Sequence, residues 1–373
     1  MNWYTIADID RIDSPALVVY PDRVKENIAL ALAMVDGDPS RLRPHVKTHK
    51  SPEATRLLLD AGIHKFKCAT IAEAEMLAIC GAPDVLLAYQ PIGPKLQRFI
   101  ALIKKYPDTK FSCLFDNPSA AAAMEKAFLS NQLRVPVYLD LNLGMNRTGI
   151  VPGDDAKQLY KKYERETPYG IHPIGLHAYD GHIRDADFAQ RKQKCDIAFA
   201  AVEKLRDEIA ATVPATAPLI VAGGSPTFSI HCRRKNVECS PGTFIYWDKG
   251  YMELCPEQAF KPAALVITRV VSLPDPTKLC LDLGHKSIAA EGELAKRVHF
   301  SDTPMPLVAL SQSEEHLVVD AGPGHGYQPG DILYGMPAHI CPTVALFERA
   351  FTIENGMFTG QWKNQARDRQ LNI

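Results

Sequence analysis

The chain is 373 residues long, 46 % hydrophobic and 23 % charged, the composition of a globular protein with room for one large domain and a smaller one. Its 42 Lys and Arg against 43 Asp and Glu leave a formal charge of -1, which excludes a broad basic field for nucleic acid or an anionic membrane surface. Scattered cysteines without a C-x-x-C pair, acidic residues where a secretory signal carries basic ones, and no run near the roughly 18 apolar residues of a membrane helix point to a soluble protein of a reducing, cytoplasmic compartment.

In chain order, SPALVVYPDRVKENIALALAMV reads as a strand and then a helix. Short β-branched runs then alternate with longer ones: RLRPHVKT (41–48), KFKCAT (65–70), DVLLAY (84–89), KFSCLFD (110–116), VPVYLDLN (135–142), HPIGLHAYD (172–180), PLIVAGGS (218–225) and VECSPGTF (237–244). Between them lie segments such as SPEATRLLLDAG, TIAEAEMLAICG and ADFAQRKQKCDIAFAAVEKLRDEIAA, with apolar residues at helical spacing. Eight strands alternating with helices over about 200 residues predict a (β/α)8 barrel. Beyond residue 250 the texture changes to strand-like runs such as AALVITRVVSL, KLCLDLG, EHLVVD and TVALFERAFTI, broken by Gly and Pro, which predict a β-rich domain.

Barrels carry their chemistry at the C-terminal ends of the strands. Lys47 ends the first predicted strand. A solvated surface lysine is the plain reading, but an amine buried at a strand end loses part of its basicity, as a Schiff-base lysine must. AGGSPT (222–227) follows the seventh strand: Gly223 and Gly224 let the backbone approach a ligand, and Ser225 and Thr227 add hydroxyl donors. A second turn, SPGT (240–243), brings Gly242 and Thr243 to the end of the eighth. Either turn alone is more often a helix cap; together, after strands seven and eight, they predict a phosphate site.

On Lys47 in PHVKTHK, Arg147 in LGMNRTG, AGGSPT and PGTFIYWD, in order at successive strand ends, the chain resembles the fold-type III pyridoxal-phosphate enzymes typified by alanine racemase. Within them it is most similar to the branch that contains D-threonine aldolase, D-serine dehydratase and D-threo-3-hydroxyaspartate dehydratase. The resemblance spans nearly the whole chain and includes SEEHL and PAHICPT. It implies a cofactor barrel over residues 21–248, a C-terminal β-rich domain over 249–373 that also takes up an N-terminal strand within 1–20, and a homodimer.

Carried over residue by residue, the resemblance makes Lys47 the internal aldimine, gives Arg147 to the phenolic oxygen of pyridoxal 5'-phosphate, and places Tyr179 against its ring. Gly223, Gly224, Ser225, Thr227, Gly242, Thr243 and Tyr246 complete the cofactor set. Alanine racemase has an arginine facing the pyridine nitrogen where this chain has Ser240.

His339 and Cys341, two apart, would face one side of a strand and could share a metal ion. The competing reading is a chance H-x-C with a small buried thiol; metal-dependent members of the branch carry a pair at this position, and thiolate softness favours zinc, with manganese as the alternative. His45, His49, His177, His182 and His316, and Asp282 in LDLGHKS, read as structural. The expected function is a pyridoxal-phosphate- and metal-dependent lyase of D-3-hydroxy amino acids, D-serine dehydratase-like. Retro-aldol cleavage of the D-threonine aldolase kind is the alternative, ahead of a racemase or a non-catalytic carrier of the cofactor.

Overall fold

The computed structural model describes residues 2–212, 217–301, 303 and 305–373. The chain divides into two compact units, one of Ala31–Lys47, Thr55–Gly242 and Asp368–Ile373, the other of Met1–Leu30, Thr48–Ala54 and Thr243–Arg367. Strand β1 (Ala16–Val19) and helix α1 (Pro21–Met34) precede the barrel.

The barrel unit alternates α2 (Pro52–Asp60), β2 (Lys65–Cys68), α3 (Ile71–Ile79), β3 (Asp84–Leu87), α4 (Pro94–Lys105), β4 (Lys110–Phe115), α5 (Pro118–Ser130), β5 (Arg134–Asp140), α6 (Asp154–Tyr163), β6 (Gly170–Ala178), α7 (Phe188–Ala210), β7 (Leu219–Ala222), α8 (Phe228–His231) and β8 (Val237–Cys239). The seven strands β2 to β8 pair in sequence order, all parallel. Parallel strands covered on both faces read as continuous apolar runs, as KFSCLF does.

The first predicted strand, 41–48, is not a regular strand. It makes two isolated bridges, Leu42 to Cys239 and His45 to Lys67. Arg43 and His45 donate to the carbonyls of Cys239 and Pro241, while Val46 donates to Lys67 and Pro44 accepts from it. The ladder is broken at Pro44, which has no N–H to give to β2. The segment nevertheless joins β8 to β2 and closes the barrel.

Local chemistry sets the helix starts. In TIAE the Thr70 hydroxyl accepts the Glu73 N–H at 3.0 Å, and the Glu73 carboxylate reaches back to the N–H of Ala69. Asn117, ahead of Pro118, caps α5 by accepting from Ser119 and Ala120. Inside the barrel, Leu86, Leu114, Tyr138 and Val221 form one packed layer. Fully buried Arg43 is held by Asp84 at 2.6 Å and Glu238 at 2.7 Å.

In the β-rich unit, after α9 (Lys249–Leu254), the strands are β9 (Ala264–Asp275), β10 (Lys278–Leu281), β11 (Val298–Phe300), β12 (Val308–Gln312), β13 (Leu317–Asp320), β14 (Ile332–Pro337), β15 (Arg349–Glu354) and β16 (Met357–Lys363), with α10 (Ile340–Leu346) before β15. They pair in the order β12-β13-β10-β9-β1-β15-β16, with β14 also on β9 and β11 on β14. Strand β1 is antiparallel to β9 and parallel to β15. Tyr4, Ile12, Val18, Leu265, Ile267 and Ile353 pack in this unit's core. Asp282 accepts from Ser14 at 2.5 Å and Thr268 at 2.6 Å, a fold role. No described helix is long and apolar enough to cross a membrane.

Candidate active site

Because the barrel strands are parallel, their last residues share one mouth. Lys47 lies near the end of the closing segment, half-buried, and its amine makes no hydrogen bond or ion pair among the described residues. Arg147 lies in the loop after β5, which doubles back so that Leu141 bridges Ile150. Gly149 (φ +97) makes this reversal: a Cβ there would lie 2.6 Å from the backbone of Leu141 and Asn142. The exposed Arg147 guanidinium stands 5.0 Å from the centre of the half-buried Tyr179 ring. A concavity here is lined by Asp140, Asn142, Arg147, His177 and Tyr179.

The AGGSPT turn presses on this mouth. A Cβ at Gly224 would meet Tyr179 Cε2 at 2.9 Å, and one at Gly223 (φ +77) would meet His231 at 2.7 Å. The Gly242 N–H donates to Ser225 Oγ at 3.4 Å, linking the two glycine turns. Ser240, beside them, donates to the carbonyl of Arg43 at 2.8 Å. Thr227 is placed differently from the expected ligand donor: its hydroxyl donates to Asp180 at 2.7 Å and accepts the Gly224 N–H at 3.3 Å. It supports the turn from behind. Helix α8 has only four residues, so turn N–H groups and Ser225, not a long helix dipole, are what the turn offers an anion.

Beneath the turn lies a cluster that sequence patterning does not reveal. Buried Asp180 and His231 are 2.8 Å apart, and Cys195 stands 3.5 Å from the first and 3.4 Å from the second. Among the described residues this is the group of three whose ligand atoms lie within 4.8 Å of one another, close enough to offer a metal site. Asp180, His231 Nε2 and Cys195 bond to one another, while His231 Nδ1 has no partner among the described residues. Burial and Asp180 push the Cys195 thiol up to about 12, and burial raises the Asp180 pKa less than His231, Thr227 and Cys195 lower it.

A second unforeseen group faces the barrel interior. Asp140 and His177 are register partners on β5 and β6, so their side chains meet, Nδ1 to Oδ1 at 2.7 Å. The β5–β6 register shifts at Val137/Tyr138, where Pro173, which lacks an N–H, pairs with Val137. His177 is pushed down by burial against the pull of Asp140, so as a neutral ring it donates from Nδ1 and accepts at Nε2. Lys67 Nζ stands 3.4 Å from that Nε2.

In the β-rich unit, Thr243 opens the short turn Thr243–Ile245, and Tyr246 is fully buried with a hydroxyl that has no partner among the described residues. In the barrel unit, the cradle of Gly223, Gly224 and Gly242 with the Ser225 hydroxyl fits a phosphate-bearing cofactor. His339 and Cys341 do not share a strand: β14 ends at Pro337, His339 caps α10 and Cys341 lies in its first turn. The pair still interacts. Burial lowers the His339 pKa, but Cys341, Glu291 and Asp248 outweigh it and raise it to about 9. Glu291 lies 2.6 Å from His339 Nδ1, and the Thr48 hydroxyl 3.1 Å from the Cys341 sulfur. The imidazole and the thiol are donor types that suit a divalent cation such as zinc.

A family model described as alanine racemase, N-terminal domain, matches residues 19–249, and a serine dehydratase domain model matches residues 263–353. The D-threonine aldolase of Arthrobacter sp. is 25 % identical over 366 residues, covering 96 % of this chain and 93 % of that one. The D-threo-3-hydroxyaspartate dehydratase of Delftia sp. (strain HT23) is 27 % identical over 245 residues, 64 % of this chain and 62 % of that one. Among solved structures, the D-threonine aldolase of Filomicrobium marinum matches with a TM-score of 0.85 at 23 % identity over 95 % of each chain. The chain belongs to the alanine racemase N-terminal-domain family of pyridoxal-phosphate enzymes, in its lyase branch with D-threonine aldolase and D-serine dehydratase.

Proposed function

We propose that this protein binds pyridoxal 5'-phosphate on Lys47 and eliminates water from a D-3-hydroxy amino acid, leaving an enamine whose imine tautomer is hydrolysed by water to a 2-oxo acid and ammonia. The observation that carries the reading is the unpaired Lys47 amine at the barrel mouth shared with Tyr179, Arg147 and the glycine turns. When bound, the cofactor supplies an electron sink for the pair released at Cα.

The chain's own residues do the rest. Tyr179 offers a ring face, Arg147 a guanidinium for a phenolate oxygen, and the Gly223–Ser225 turn, Gly242 and Thr243 the phosphate contacts; Tyr246 brings its unpaired hydroxyl. Lys47, once displaced by the substrate amine, removes the Cα proton. His339 and Cys341 would hold a divalent ion, zinc by the softness of the thiolate, whose Lewis acidity suits a departing hydroxyl.

The serine dehydratase domain match, which contains both ligand residues, favours elimination. The D-threonine aldolase relative along 96 % of the chain keeps Cα–Cβ cleavage to glycine and an aldehyde as the second reading. Incubation with D-serine and D-threonine separately, assaying 2-oxo acid, ammonia, glycine and acetaldehyde, decides between them. Absence of all four products refutes both.

A further inference from the structure

Three polar side chains inside the barrel serve none of these roles. Lys67 comes from β2, Asp140 is the last residue of β5, and His177 lies near the end of β6; all three are buried. Lys67 is 2 % exposed, yet its amine has no carboxylate partner among the described residues. Its nitrogen stands 3.4 Å from His177 Nε2 and 5.5 Å from the centre of the Tyr179 ring. A buried amine without a counter-ion is costly, and a packing role alone would be filled as well by methionine. With His177 bonded to Asp140 at 2.7 Å, carboxylate, imidazole and amine form one chain ending at Tyr179. The charged groups that face Lys67 are Lys47 and Arg43, which disfavour its charge, and Asp140 and Asp180, which favour it. Burial is the largest influence, and the sum brings its pKa down to about 7.

We propose that Lys67 is a positioning residue for the cofactor mouth: its ammonium, held by the His177–Asp140 pair, lends a positive charge that strengthens anion binding beside Lys47. The inference rests on the reading that this mouth takes pyridoxal phosphate. In the protonated form Lys67 attracts the anion; as a neutral amine it contributes no field.

The test is binding of pyridoxal phosphate to the full-length apoprotein by equilibrium dialysis at about pH 6 and about pH 8.5, for wild type, Lys67→Met and Lys67→Arg. The variant-to-wild-type ratio at each pH compares Lys67 with its replacement under the same conditions. Lys67→Met should weaken binding about tenfold at the lower pH and less than about twofold at the higher, a size reasonable for one charge in a partly screened site. Lys67→Arg should match wild type at the lower pH and exceed it at the higher. Equal weakening at both, or none at either, overturns the proposal. Should Lys67→Met fail to fold, His177→Gln, which cuts the link to Asp140, gives the same comparison: a loss confined to the lower pH supports the proposal and a uniform loss refutes it. Borohydride reduction with peptide mapping separates the two failures. Cofactor recovered away from Lys47 refutes the cofactor reading, whereas an intact Lys47 link without the pH effect refutes only the role of Lys67.

Discussion

The Thr227 hydroxyl donates to Asp180 at 2.7 Å while accepting the Gly224 N–H at 3.3 Å, so one buried side chain ties the glycine turn to the residues that follow β6. Thr227→Val keeps the shape but leaves a carboxylate oxygen and an N–H without this partner. Urea unfolding should show a loss of about 1–3 kcal/mol, and cofactor retention on dialysis should fall with it. Thr227→Ser should restore both. An undisturbed Thr227→Val would mean that the turn holds itself.

Lys47→Ala should give a folded protein from which borohydride recovers no cofactor-labelled peptide. Lys50, three residues on and with a left-handed φ of 52°, should be dispensable for the link. Label found on a peptide lacking Lys47 refutes the assignment.

For the metal pair, Cys341→Ala or exhaustive chelation should leave the visible absorbance of the bound cofactor largely intact while turnover falls about 10²–10³-fold, as loss of an electrostatic catalyst does. Cys341→Asp exchanges a soft ligand for a hard one, so manganese or magnesium should rescue it better than zinc. Full activity in metal-free protein removes the site.

Stability should decline below neutral pH, with His49 as one cause. His49 is buried and accepts the Ser51 N–H at 3.2 Å through Nδ1, so the proton sits on Nε2, and burial pushes its pKa down to about 3. Between that value and the ordinary histidine value the unfolded chain binds a proton that the fold does not. Stability therefore falls as pH falls, by roughly 1 kcal/mol per unit below about pH 6. Asp180, with its lowered pKa, acts in the same direction further into acid. Urea midpoints of wild type and His49→Gln should converge as pH drops from about 7.5 to about 5.5; parallel curves would exonerate His49.

The alternation of apolar runs made the barrel and the β-rich unit legible, because burial on both faces of parallel strands imposes a pattern that composition carries openly. Segment 41–48 was readable as a barrel position but not as two bridges, since Pro44 cancels a ladder bond without changing the apolar pattern. His339 and Cys341 meet across a helix cap, not along a strand, because β14 stops two residues short of His339. Thr227 looked like a ligand donor only because Asp180, which takes its proton, is distant in sequence. Lys67, Asp140 and His177 fall in three separate strands, and sequence spacing cannot show that their side chains share the barrel interior.

Strand β1 draws its neighbours from Ala264–Ile267 and from Phe351–Thr352. During synthesis these partners leave the ribosome roughly 250 and roughly 330 residues after it, so this strand waits long to be paired. Until then ALVV, an apolar edge with open N–H and C=O groups, is exposed to other nascent chains. A message truncated before residue 264 would leave it so permanently, which makes such incomplete translation products prone to aggregate.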